Sequence, residues 1–300
     1  MTSPSTTSKV VSAADAIALI NDGDHVAIQS MGTQGIPMAL VRELIRAGKR
    51  DLTITSVVAG IGIDWLAWKG QISRFVGPIV SMERFGLCQG FRAGVQSGQI
   101  VFEEYSETGI LARLDAGARS LPFQITRGMI GTDLPAQLAD TVREIEDPFT
   151  GQRVLACRAL KPDVCLLHAH RADAKGNAQY EGGTIWPDVQ IYPKACGLTI
   201  VTVEQVVSED VVRERPFETV IPHFAVDAVV EAPYGCHPTS FFPGYVYDEA
   251  FHERWVAVSR DPVAALAMID EHCAAADQAA YLEIVGREAI ATVSDWREQA

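Results

Sequence analysis

Two stretches of this 300-residue sequence restrict what it can fold into. Asp163-Val-Cys-Leu-Leu-His-Ala169 and Leu198-Thr-Ile-Val-Thr-Val203 are almost continuously apolar. A strand with one wet face alternates apolar with polar residues, whereas a strand without alternation is covered on both faces. Strands covered on both faces belong to parallel sheets whose crossover helices lie over each side.

The rest of the chain alternates accordingly. Residues 12–20 read as a helix behind Ser12, and His25–Gln29 as a strand. The loop Ser30–Pro37 opens a helix over Met38–Ala47 that Gly48 stops. Leu52–Val58 reads as a strand running into a second Gly-rich loop, Ala59–Gly62. Phe75–Val80 looks extended, Gly90–Gln96 helical and Ile100–Tyr105 extended. A helix over 107–119 carries Ile110, Leu111, Leu114 and Ala118 on one face. Asp227–Glu231 is a further strand, and helices are expected at 262–274 and about 276–286. Residues 134–153, with their acidic run and Asp147-Pro148, read as a surface excursion. These patterns predict an α/β protein with a largely parallel sheet, as one domain over 10–300 behind a loose Ser/Thr-rich tail at 1–9.

A net charge of −13 argues against a nucleic-acid surface, which needs an excess of Lys and Arg. No run is long and apolar enough to span a bilayer, and the N-terminus lacks a signal-peptide pattern. The six cysteines show no CxxC spacing, so free thiols in a reducing compartment, by default the cytoplasm, are expected rather than zinc or disulfides. No nicotinamide or flavin signature appears, and no metal is expected.

Several segments could carry chemistry. Gly32-Thr33-Gln34-Gly35 lies between a strand and a helix. Its glycines suit either close approach of backbone N–H groups to an anion or a tight turn needing positive φ. Glu103 and Glu104 end a strand, where alternation points one in and one out. A carboxylate at that end of a parallel strand lies where α/β proteins bind ligands. Ser106 is an N-cap for the following helix, with Glu107 in its first turn. Gly131-Thr132-Asp133 offers donors for an oxyanion or thioester carbonyl, or an Asp-closed turn. His168 and His170 share a strand face, but the spacing shows no third metal ligand, so a polar cluster is expected. His237 and Ser240 lie in a turn-rich loop, and no GxSxG elbow is present.

In their order along the chain, these segments resemble the α subunits of class I CoA-transferases, especially the glutaconate CoA-transferase type. The resemblance runs from about residue 10 to about 285. It rests on Gly32 with Ile36-Pro37, Asp51-Leu-Thr, Glu103-Glu-Tyr-Ser106, Ala116-Gly-Ala118 with Leu121-Pro-Phe123, and Gly131-Thr-Asp133. It rests also on His168-Ala-His-Arg-Ala-Asp173 with Gly176-Asn177, and Pro233-Tyr-Gly-Cys-His-Pro-Thr-Ser240.

The resemblance implies a three-layer α/β/α, NagB/RpiA/CoA-transferase-like fold with a largely parallel sheet. It implies an enzyme that transfers coenzyme A between an acyl-CoA and a carboxylate through a nucleophilic glutamate. That glutamate is expected on a partner β subunit, in a heterodimer or a dimer of heterodimers, with the acyl-CoA as substrate and no further cofactor. This chain is expected to supply pocket walls from Gly32, Thr33, Gln34, Gly35, Gly131, Thr132 and Asp133, with His237 and Ser240 also lining the pocket. Glu104 is expected to point toward it. A branch of the same fold hydrolyses carbon–carbon bonds in steroid-derived rings, using an α-subunit glutamate as base. Glu104 is the nominee for that role and Glu107 the second. A non-enzymatic acyl-CoA or sugar-phosphate binder is a third reading.

Overall fold

A computed structural model describes residues 8–182 and 187–295. The strands are β1 (His25–Ile28), β2 (Leu52–Thr55), β3 (Ile72–Gly77), β4 (Val101–Glu104), β5 (Phe123–Thr126), β6 (Val142–Glu146), β7 (Arg153–Arg158), β8 (Val164–Asp173), β9 (Ala178–Gln179), β10 (Leu198–Val207), β11 (Thr219–Ile221) and β12 (Ala228–Glu231). The helices are α1 (Ala13–Ala18), α2 (Met38–Arg46), α3 (Ile61–Trp68), α4 (Gln89–Ser97), α5 (Glu107–Ala118), α6 (Leu134–Gln137), α7 (Pro187–Ala195), α8 (Glu209–Glu214), α9 (Glu249–Val258), α10 (Pro262–Cys273), α11 (Gln278–Val285) and α12 (Arg287–Ser294).

Seven strands run parallel in the order β4-β3-β2-β1-β8-β10-β12. The short antiparallel strands β9 and β11 extend the sheet beside the far half of β8. Period-two alternation along the strands builds two cores. Val164 and Leu166 of β8 join Val26, Ile28 and Ile200 under α1, α2, α3 and α10. Cys165, Leu167 and Ala169 join Ala27, Val201 and Val203 on the opposite face, with Ile110 and Leu114 of α5 and Val189 and Tyr192 of α7. The continuous apolar runs follow directly, since both faces are covered. Each fully buried Leu or Ile contributes about 1.5–3 kcal/mol relative to exposure. No described helix is long and apolar enough to cross a membrane.

Local chemistry sets the helix starts. The Ser12 and Ser106 hydroxyls accept from the N–H groups of Asp15 and Gly109, at 3.1 and 3.0 Å. Gly48 and Gly98, with φ of +63° and +79°, end α2 and α4.

Two sequence expectations require correction. The second Gly-rich segment is not all loop, because α3 begins at Ile61. Gly62 lies inside α3, where a methyl group would collide with Ile36 and Met38, so glycine here permits close packing on α2. Strands β8 and β10 run on to Asp173 and Val207, well past their apolar halves. The surface excursion at 134–153 is largely exposed. It carries α6 and β6 and leads into β7, and these strands form with β5 a separate three-stranded antiparallel sheet. Of the expected tail, residues 1–7 lie outside the described residues. Lys9 is tied down, its N–H donating to Ala174 O and its carbonyl accepting from Val229 N–H.

Candidate active site

Strand order reverses between β1 and β8, and ligands of open parallel sheets bind at such a switch point beyond the carboxyl ends of the strands. β1 stops at Ile28 while β8 continues, leaving a step. A cleft of about 800 Å³ opens there. One wall is apolar, formed by Tyr180, Phe241, Phe242 and Val246. Its polar groups include His170, Glu218 and Arg215. Glu218 is committed to Arg171 and lies 3.7 Å from Arg215. Tyr180 Oη and Gln29 Nε2 are buried and hydrogen-bond to nothing among the described residues.

The wall that carries Ser240 and Phe241 is a strap over residues 233–247. It is joined to the first glycine loop, with Gly35 N–H donating to Ser240 O (2.8 Å) and Ser240 N–H to Thr33 O (2.9 Å). Gly32 and Gly35 adopt φ of +62° and +68°. The N–H groups of Gly32, Gln34 and Gly35 are taken by Val58 O, Met31 O and Ser240 O, and Ala39 N–H at the start of α2 by Gly235 O. Of the two sequence readings of this loop, tight-turn geometry describes it better than an anion cradle.

Beneath the strap lies a buried charge network. Glu204 accepts from His168 Nε2 (2.6 Å), Tyr245 Oη (2.9 Å) and Tyr234 N–H (2.6 Å). Burial pushes the Glu204 carboxyl up, but these donors outweigh it and hold its pKa below the ordinary glutamate value. The Thr202 hydroxyl donates to Leu167 O, so its oxygen accepts from His168 Nδ1. The ring of His168 is thus held at both ends, by Thr202 at Nδ1 and by Glu204 at Nε2. Phe241 sits edge-on to His168 at 4.4 Å, and Gly235 passes so close that a methyl would lie 2.7 Å from the His168 ring.

His170 faces the cleft in a different state. Its Nδ1 accepts from Glu181 N–H (3.0 Å), so Nε2 carries the proton and donates to Phe242 O (3.2 Å). Burial, and secondarily the charge of His168, lowers its pKa to about 4. At neutral pH it is an uncharged bridge between two cleft rims.

The sequence-nominated residues divide between three places. Gln34, Gly35 and Ser240 line the cleft, with Thr33 buried behind them. Glu104 ends β4 at the sheet edge, solvent-exposed. Its neighbour Glu103 turns inward to Arg113 (3.3 Å), Arg74 (3.1 Å) and Tyr105 Oη (2.6 Å). Gly131, Thr132 and Asp133 are exposed on a loop packed over Ser106 and Thr108, hence beside the end of β4. His237 is fully buried and bonded on both ring nitrogens, to Tyr281 Oη (2.7 Å) and Asp248 (3.1 Å), beneath the cleft rather than on it.

Glu204, Tyr245 and Glu83 carry no mark in the sequence. The first two hide because their partners are 30–40 residues away. Glu83 has φ of +53° and takes a hydrogen bond from Thr33 Oγ1 at 3.3 Å, and nothing in its neighbours announces a left-handed residue.

Residues 10–232 match the family model described as coenzyme A transferase. The α (A) chain of glutaconate CoA-transferase from Acidaminococcus fermentans is 32% identical over 270 residues, covering 84% of each chain. The crystal structure of glutaconate coenzyme A-transferase from that organism superposes with a TM-score of 0.88 at 30% identity, covering 95% of both chains. The IpdA subunit of a cholesterol ring-cleaving hydrolase from Rhodococcus jostii is 30% identical over 264 residues, covering 85% of this chain and 88% of that one. This chain also spans 62% of the length of an uncharacterized Archaeoglobus fulgidus protein, at 33% identity.

Proposed function

The chain belongs to the coenzyme A transferase family, and from that premise we propose that it is the α subunit of a heteromeric enzyme moving coenzyme A between an acyl-CoA and a free carboxylate. The observation that carries the proposal is the near-complete superposition on glutaconate coenzyme A-transferase. Three of the acids on this chain are disfavoured as the nucleophile. Of this chain's acids near the carboxyl edge of the sheet, Glu204, Glu218 and Glu103 are each held by cationic or hydrogen-bonding partners. A carboxylate so stabilised is a poor nucleophile.

In this reading the apolar wall of Tyr180, Phe241 and Phe242 receives the acyl group. Neutral His170 keeps the two rims together without adding charge. Gly32–Gly35 and Ser240 shape the wall, His237 supports it from beneath, and Gly131–Asp133 with Glu104 form a second, more exposed rim. Coenzyme A enters as substrate. The test is an exchange assay with labelled coenzyme A, in which the co-purified α and β chains transfer label to a free carboxylic acid and neither chain does so alone.

A hydrolytic reading is favoured by one observation. Glu104 is solvent-exposed and its side chain makes no hydrogen bond or ion pair among the described residues, which leaves its carboxylate free to meet a water. Glu104→Gln is then expected to leave assembly and melting unchanged while turnover falls on the order of a hundredfold. Unchanged turnover removes Glu104 from the site.

A further inference from the structure

Beside the first glycine loop, the turn after β3 holds a residue that a turn does not need. Its backbone bridges, Ala59 with Val80 and Met31 with Val58, align it with the carboxyl ends of β1 and β2. Glu83 sits in this turn at φ +53°. The left-handed region costs an L-residue energy that glycine avoids. The same turn uses glycine three positions on, at Gly86, with φ of +98°.

The strained backbone puts the Glu83 carboxylate over Gly32, so closely that a methyl on Gly32 would collide with it. Among the described residues its one side-chain partner is Thr33 Oγ1, at 3.3 Å, a long bond for a carboxylate. The turn is otherwise anchored firmly. Phe85 stacks on His252 at 5.0 Å and meets Tyr247 of the cleft wall edge-on at 5.8 Å, and Arg84 pairs with Glu249. The turn therefore holds a solvent-exposed carboxylate over the active-site loop, open to a ligand as well as to water. Strain of this kind collects where a side chain contacts a ligand.

We propose that Glu83 contacts the substrate, its carboxylate accepting a hydrogen bond from an amide N–H of the pantetheine arm of coenzyme A. This deepens, and rests on, the acyl-CoA reading above. A carboxylate cannot face the phosphates of coenzyme A, and the neutral N–H donors of the arm are the groups it complements. Thr33 holds the carboxylate in place until the arm arrives.

The test is titration calorimetry of coenzyme A, and separately of pantetheine, onto the heteromer carrying wild-type, Glu83→Gln or Glu83→Gly chains. Glu83→Gly removes the acceptor and is expected to weaken both probes about tenfold or more, whereas Glu83→Gln keeps a neutral acceptor and is expected to weaken both by a smaller factor. Glu83→Gly is also expected to melt at a higher temperature than wild type, since glycine relieves the left-handed backbone. Wild-type affinity in both variants overturns the proposal, as does a loss seen with coenzyme A but not with pantetheine. Failure of the wild-type heteromer to bind coenzyme A overturns the acyl-CoA reading itself, and this proposal with it.

Discussion

Replacing Glu204 by alanine removes the acceptor for three buried donors at once: His168 Nε2–H, Tyr245 O–H and Tyr234 N–H. The largest loss is electrostatic. His168 is fully buried, and without Glu204 its Nε2 faces no acceptor. Leaving a buried donor without its charged acceptor costs about 1–3 kcal/mol for each donor. Glu204 keeps 23% of its side chain exposed, which places the expected cost near the lower end, about 3 kcal/mol for the three donors together. At about 2–4 °C per kcal/mol, melting falls by roughly 6–12 °C.

The effect has a pH signature. The folded-state pKa of Glu204 is depressed, so its stabilisation is present above the ordinary glutamate value and is lost as pH falls through the folded value. The gap between wild type and Glu204→Ala is therefore widest near neutrality and closes in acid below about pH 4. Differential scanning calorimetry from pH 7 to pH 3 measures both features. A melting change under about 2 °C at pH 7, or a gap undiminished at pH 3, refutes the role assigned to Glu204.

Two further outcomes follow from the same geometry. Gly235→Ala places a methyl 2.7 Å from both Ala232 O and the His168 ring, so a loss of about 1–3 kcal/mol is expected in chemical denaturation. Burial lowers the folded-state pKa of both His25 and His170 from 6.5 to about 4. Between those values the unfolded chain binds more protons, so stability falls as pH drops from 6.5 toward 4, by up to about 1.4 kcal/mol per pH unit for each histidine. His170→Asn is expected to flatten that slope in pH-dependent melting curves.

What the sequence made legible was local or periodic. Ser106 followed by an apolar stripe marked α5, and the unbroken runs from Val164 and Leu198 marked the centre of the sheet. The polar halves of β8 and β10 were not legible as strand. Arg171 and Asp173 look like loop until Glu218 closes on Arg171 from a distant segment and the turn after β8 brings Gln179 and Asn177 back onto them. Gly60 and Gly62 read as a loop, although the second serves close packing on α2. His237 attracted notice as a titratable loop residue, but its partners Asp248 and Tyr281 make it a core group. Glu83 was invisible because a positive φ outside glycine leaves no mark in the residue type. The family resemblance, carried by the order of many short segments, survived these local errors.

Transfer through a partner-chain glutamate is tested most directly by chemical trapping on the αβ heteromer. Incubation with acyl-CoA followed by borohydride reduces a glutamyl–CoA thioester in place, and peptide mass spectrometry locates it. A modified glutamate on the β chain, none on this chain, and a product acid free of solvent oxygen-18 are expected. No trapped adduct, with oxygen-18 from water in the product, contradicts transfer and assigns the cleft to hydrolysis.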